Sequence, residues 1–247
     1  QYILHNTPGK IWDCLYTWDS GLIGIGLSAF SKKRAWECLN AYLMGPQEPS
    51  AFLHHGTPLP MQAFLFQELL HQNQDTALLQ YFYPRMRRYY LFLAGKSEGS
   101  TTRHATGLLR TWDYFYNSGG WDDYPAQAWV HANKQEATTV PVVNTAYTMR
   151  FARQLWLAAN RLGLANHQQE YLADAERWAK ALQQHSWDST IGYFNYVQMH
   201  EGKPRWLLDS AGLSGNMGLD GLTPLVAGMV SGRQKDLMLQ NMFSPGR

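Results

Sequence analysis

The apolar residues of 167–185, HQQEYLADAERWAKALQQH, fall at Tyr171, Ala175, Trp178, Ala179 and Leu182, a spacing that draws one stripe down an α-helix. Similar stripes run through 60–72 (Met61, Phe64, Leu65, Leu69), 76–94 (Leu78, Leu79, Phe82, Met86, Tyr89, Tyr90, Leu93) and 142–162 (Met149, Leu155, Trp156, Ala159, Leu162). Further candidates cover 20–43 and 222–241. Each stripe must be buried against another element, so a chain built of them packs helix on helix. One segment departs from the pattern: GYFNYVQM at 192–199, then the turn-like HEGK and PRWLL, predicts a short β-hairpin. Six or seven helices, one hairpin and no strand–helix alternation make the expected fold class all-α. No compositional break marks a linker, so residues 1–247 are expected to form a single domain.

Loops rich in Gly, Pro, Ser and Asn separate the helices at 45–59, 95–107, 117–127, 163–166 and 210–221, and the longer ones are of a length that usually carries function. With 21 basic against 19 acidic residues and one dense basic cluster, RMRRYY at 85–90, nucleic acid is not an expected partner. No run of eighteen apolar residues is present, so no membrane span is expected. The ten Trp, fourteen Tyr and many side-chain amides suit stacking on and hydrogen bonding to a neutral polar ligand such as a sugar; a large aromatic core is the alternative. Cys14 and Cys38 have no metal-type spacing, His54 and His55 are adjacent rather than spaced around one ion, and no calcium-loop pattern occurs. Neither metal nor cofactor is expected. Trp-Asp occurs at 12, 18, 112, 121 and 187, but at intervals far from the regular period of about 40–45 that a β-propeller requires.

Chemistry concentrates where aromatics and acids share a loop or a helix mouth: LYTWDSGLIGIG (15–26), FLHHGTPLPMQAF (52–64), LLRTWDYFYNSGGWDDYPAQ (108–127) and, more weakly, GLSGNMGLDGLTPL (212–225). In the third, Gly119 and Gly120 free the backbone while Pro125 fixes φ after the aspartates, so the turn can aim a side chain. Asp122 has an apolar neighbour in Trp121, which disfavours the charged form, and an adjacent Asp123 whose charge would push a proton onto it if the side chains converge. That suits a general acid. An Asp-rich turn whose aspartate caps the next helix explains the same residues.

YTWDSGLIGIGL, PLPMQAFLFQELL and SGGWDDYPAQ resemble the corresponding segments of glycoside hydrolase family 63, the α-glucosidase family that includes the N-glycan processing glucosidase. The similarity runs on through 142–208 and covers most of the chain; WDDYP is its most specific element, and GGWD is also similar to the related inverting trehalases. The resemblance implies an (α/α)6 toroid, partly covered by this chain, and hydrolysis of α-glucosidic bonds in a small oligosaccharide or glucoside with inversion. One carboxylic acid protonates the leaving oxygen and a second carboxylate activates water, roughly 6.5–9.5 Å away. Carried over by position, Asp122 is the general acid. Trp18 and Asp19 match the Trp-Asp that holds the cleaved sugar, Gln62 lies at a helix start facing the pocket, and Trp121, Asp123 and Tyr124 shape the same wall.

Two departures accompany the match. An extra glycine precedes the WDDYP element, and the family's Tyr-Trp-Arg-Gly-like segment and the catalytic base that follows it have no counterpart among Glu37, Glu48, Glu68, Glu98, Glu136, Glu170, Glu176 and Glu201. The expectation is therefore the amino-terminal and central part of a catalytic domain, with the remainder of that domain as partner. A trehalase-like hydrolase and a non-catalytic carbohydrate-binding fragment are the competing readings.

Overall fold

The computed structural model describes residues 16–52, 59–110, 124–215 and 218–244. Of these described residues 59% are helical, with small antiparallel sheets. The described residues fall into two compact units, the first built from residues up to Ser100 together with Phe151–Leu172, the second from Thr101–Arg150 together with the residues after Leu172.

In the first unit, α1 (Thr17–Ser28), α2 (Lys32–Tyr42), α3 (Met61–Gln72) and α4 (Thr76–Leu93) are joined by the C-terminal part of α6 (Val142–Arg161) and the N-terminal part of α7 (Ala165–His185). The candidate helix at 20–43 is in fact two. Ser31 accepts a hydrogen bond from the Arg34 amide and so caps a new start. Helix α1 is glycine-rich because α3 lies against its backbone: a Cβ on Gly21 would stand 2.4 Å from Met61 Cβ and 2.5 Å from Met61 C, and one on Gly24 2.2 Å from Leu65 Cδ2. An aromatic core supports these helices, with Phe52 and Tyr89 ring centroids 4.4 Å apart, Tyr42 packed on both, and Tyr89 meeting Phe151 edge-on. Where α4 meets α7, Glu170 accepts from Arg87 at 2.5 Å and Lys96 at 2.8 Å, and Arg87 also donates to the Tyr171 hydroxyl at 2.9 Å. Partial burial acts to raise the Glu170 carboxyl, but the bonds from Lys96 and Arg87 prevail and hold it below its ordinary value.

The second unit carries α5 (Pro125–Ala132), β1 (Thr139–Val140), the remaining parts of α6 and α7, β2 (Trp187–Asp188), β3 (Tyr193–Phe194), β4 (Val197–His200), β5 (Lys203–Trp206), α8 (Leu219–Val226) and α9 (Gly232–Phe243). The expected hairpin is present as β4 and β5, paired antiparallel from Val197–Trp206 to His200–Lys203. Its two turn residues, Glu201 and Gly202, both adopt positive φ, the requirement of a two-residue turn matched to the twist of its strands. Strand β1 adds to β4, giving three strands. The segment read as one strand over 192–199 divides at Asn195: Tyr193–Phe194 turn back to pair with Trp187–Asp188, while Val197 onward pairs with β1 and β5. Asn195 is fully buried, its amide bonded to Ser186 O at 2.7 Å and its side-chain oxygen accepting from Ser214, which fixes the break. The candidate helix at 222–241 also divides, at Gly228 with positive φ and at Ser231, which forms a capping box with Gln234. Phe194, Tyr196, Leu182, Leu207 and Met238 lie in the core of this unit. Among the described residues no helix is long and apolar enough to cross a membrane.

Candidate active site

The sequence-predicted site residues lie in both units. In the first, Trp18 and Asp19 occupy the first turn of α1 and are half-buried, leaving part of each side chain at the surface. An acid in the first helical turn is favoured there by the exposed amides of the helix start. Gln62, the second residue of α3, is fully buried, and its Nε2 donates to Thr17 O at 2.5 Å and to Ser20 Oγ at 2.6 Å. Tyr42 donates to Thr17 Oγ1 at 2.9 Å, and Ser20 Oγ donates to Thr17 O at 3.2 Å. The structure therefore brings Gln62 to the turn that carries Trp18 and Asp19, and makes it a brace for that turn.

Gln62→Leu keeps the volume but removes two buried hydrogen bonds, the one to Ser20 Oγ and one of those to the Thr17 carbonyl, which the Ser20 hydroxyl still reaches. The expected loss of stability is about 2 kcal/mol, within the range for stranding buried polar groups. Chemical denaturation measures it, and an unchanged unfolding midpoint would show that these bonds are not what fixes the turn.

In the second unit, Tyr124 stands at the N-cap of α5, half-buried, with Pro125 as the first helical residue. Trp121, Asp122 and Asp123, which immediately precede it, lie outside the described residues. The Tyr124 hydroxyl rests 3.1 Å from where a Cβ would stand on Gly218, so the glycine makes room for the phenol. Behind Tyr124 lies a polar group that sequence reasoning missed. Asp220, in the first turn of α8, is fully buried and accepts a hydrogen bond from the Tyr196 hydroxyl. Gln127, on the first turn of α5, donates from Nε2 to Tyr196 Oη at 2.9 Å and reaches Asp220 Oδ2 at 3.5 Å. Burial, and after it the charge of Asp220, pushes the Tyr196 phenol well above its ordinary range. The same two causes raise Tyr124 and Tyr147, while a hydrogen bond with the Asp220 backbone acts in the opposite direction on Tyr124. These phenols remain protonated donors at neutral pH. Asp220 belongs to the loop segment 212–225, and its spacing from buried Thr223 and Pro224 on α8 is the signal that places it on the inner face.

The sequence matches the profile of the "Mannosylglycerate hydrolase MGH1-like glycoside hydrolase domain" over residues 14–247. Among solved structures, the mannosylglycerate hydrolase of glycoside hydrolase family 63 from Thermus thermophilus, in complex with Tris, is similar with a TM-score of 0.63 at 18% identity, over 95% of this chain and 73% of that one. The neutral trehalase of Saccharomyces cerevisiae gives a TM-score of 0.67 at 15% identity, over 95% of this chain and 54% of that one. A rhamnosidase from Klebsiella oxytoca with rhamnose bound gives 0.62 at 13% identity, over 94% and 42%. No curated protein matches this sequence. The fold is that of the (α/α)6-type glycosidases.

Proposed function

Since the chain belongs to the mannosylglycerate hydrolase MGH1-like glycoside hydrolase domain family, we propose that it hydrolyses the α-glycosidic bond of a small hexoside with inversion of configuration, Asp122 acting as general acid. The observation that carries this reading is the family match, which spans residues 14–247 and so takes in SGGWDDYP. In the mechanism, Asp122 gives its proton to the departing glycosidic oxygen while a carboxylate on the opposite face of the sugar draws a proton from the attacking water. The apolar Trp121 beside Asp122 favours the protonated form the acid needs. Trp18 offers an aromatic face and Asp19 a carboxylate to the hydroxyls of the cleaved sugar, and Gln62 holds the turn that presents them. Trp121, Asp123 and Tyr124 complete the wall around the acid.

We assign no base. Asp220 is sealed from water and engaged by Tyr196, Asp174 is buried and paired with Arg177 at 2.9 Å, and Asp188 caps its own turn through Thr190 at 2.8 Å. None of the three is available to hold a nucleophilic water.

The sugar is glucose in the first reading. An α-mannoside of glycerate is the second, favoured by the name of the matching family and by the Thermus structure. Incubating the protein with α-glucosylglycerate, α-mannosylglycerate and trehalose, and following the anomeric protons by NMR from the first turnovers, separates these readings. Initial release of the β-anomer from one of them is the expected result. Release of the α-anomer alone would rule out inversion, since an inverting enzyme gives β-sugar from the glycerate compounds and equal α- and β-glucose from trehalose, and no release from any would favour a carbohydrate-binding role.

A further inference from the structure

A carboxylate removed from water is costly unless its hydrogen bonds are well made, and replacing such a group by an apolar one is often neutral or stabilising. Asp220 is fully buried, and the bonds it receives from Tyr196 and Gln127 come from side chains that are themselves buried. Those bonds converge on one place. Gln127 is the third residue of α5, and Tyr124, which caps that helix, packs on the same Tyr196 with ring centroids 6.4 Å apart. A hydrogen bond with the Asp220 backbone adds a further hold on Tyr124. Helix α8 is thus tied to the first turn of α5 through one carboxylate, one phenol and one amide.

Asp122 precedes Tyr124 by two residues. Covalent geometry alone keeps its Cα within about 7 Å of the Tyr124 Cα, because a fully extended chain advances only about 3.3–3.6 Å per residue. The first turn of α5 is therefore the described anchor from which the acid extends. Misplacement of a catalytic group by about 1 Å can cost ~10²-fold in rate.

We propose that Asp220, acting through Tyr196 and Gln127, is a positioning residue that sets the general acid Asp122 by locking the first turn of α5. This rests on the assignment of Asp122 as the acid. Asp220 donates no proton to substrate and touches none; it fixes where the proton donor stands. The raised Tyr196 phenol fits this role, since it remains a hydrogen-bond donor to Asp220 across the working pH range.

The test uses two substrates of the same sugar, an α-glucosyl fluoride, whose leaving group needs little protonation, and α-glucosylglycerate, whose alkoxide leaving group needs a proton; the manno pair replaces them if that is the sugar taken. Asp220→Asn and Tyr196→Phe are expected to lower kcat on the glycerate ether by about 10- to 100-fold at unchanged KM, with less than about a threefold loss on the fluoride. A variant that merely loosens the fold lowers both rates together, so equal losses, or no loss on the ether, would overturn the proposal. Tyr196→Phe removes a single hydroxyl and carries the test if Asp220→Asn does not fold. Asp122→Asn, measured alongside, should show the same leaving-group dependence more strongly. If it instead turns over the ether normally, the acid assignment fails and this proposal with it, whereas a leaving-group-dependent Asp122→Asn beside indifferent Asp220 and Tyr196 variants overturns the positioning role alone.

Discussion

Asp122→Asn is expected to lower turnover of an unactivated α-hexoside by about 10²- to 10⁴-fold while leaving the unfolding midpoint unchanged. The magnitude is that of a general acid removed from a reaction whose leaving group departs as an alkoxide unless it is protonated. Asparagine keeps the shape and the hydrogen-bonding reach of the carboxylic acid but has no proton to give. The pH profile supplies an independent reading. In the wild type, kcat/KM should fall on the basic side as the acid loses its proton, and in the variant that limb should disappear because nothing remains to titrate there. A variant with near-normal rate on the alkyl glycoside, or one that keeps the basic limb, would remove Asp122 from the role.

The longest stripes of the sequence are the most faithful guides to the fold. The spacing at 167–185 predicts α7, observed as Ala165–His185, and that at 60–72 predicts α3, observed as Met61–Gln72. Both helices bury one apolar face, which is the property periodicity reports. Periodicity says nothing of where a chain turns and starts a second helix in similar register. The breaks at Ser31 and Ser231 are made by capping hydrogen bonds that single serine hydroxyls accept from backbone amides, which leave the apolar count almost untouched. Helix α5 is hidden for a related reason. It has only eight residues and begins at Pro125, which reads as the close of a turn until it is recognised as a first helical position.

For the site, sequence identifies residue types but not their surroundings. Trp18 and Asp19 stand together on one helical turn, as their adjacency requires, and Gln62 does reach that turn, but as a buried donor to the α1 backbone. A glutamine at a helix start carries no mark in sequence to distinguish a pocket-facing amide from a bracing one, because the outcome depends on α1 approaching closely enough to be bonded. Asp220 shows the same difficulty in reverse. A single aspartate among glycine and leucine looks like a loop residue, and only its spacing from Thr223 and Pro224 on α8 indicates burial.

The close approach of α1 makes the strongest stability prediction. Gly21→Ala should destabilise the protein by about 2 kcal/mol or more, because the new methyl group would lie 2.4 Å from Met61 Cβ and 2.5 Å from the Met61 backbone carbon. Overpacking of this kind costs about 1–3 kcal/mol and sometimes more, and the gain of about 1 kcal/mol from alanine's helix propensity only partly offsets it. Gly24→Ala should cost less, since its contact at 2.2 Å is the Leu65 Cδ2 methyl, the end of a side chain that can rotate away. At Gly26 no atom lies within 4 Å of the added group, so Gly26→Ala should stabilise by up to about 1 kcal/mol through propensity alone. Urea denaturation of the three variants gives the order directly, and similar midpoints for Gly21→Ala and Gly26→Ala would show that α1 and α3 do not meet backbone to backbone. The effect should extend to binding. Met61 is the residue before Gln62, so a methyl group that drives α3 from α1 also draws the Gln62 amide away from Thr17 and Ser20 and loosens the turn that carries Trp18 and Asp19. Gly21→Ala should accordingly raise KM for the sugar as well as lower the midpoint, while Gly26→Ala, on the exposed side of the same helix, should leave KM as it is.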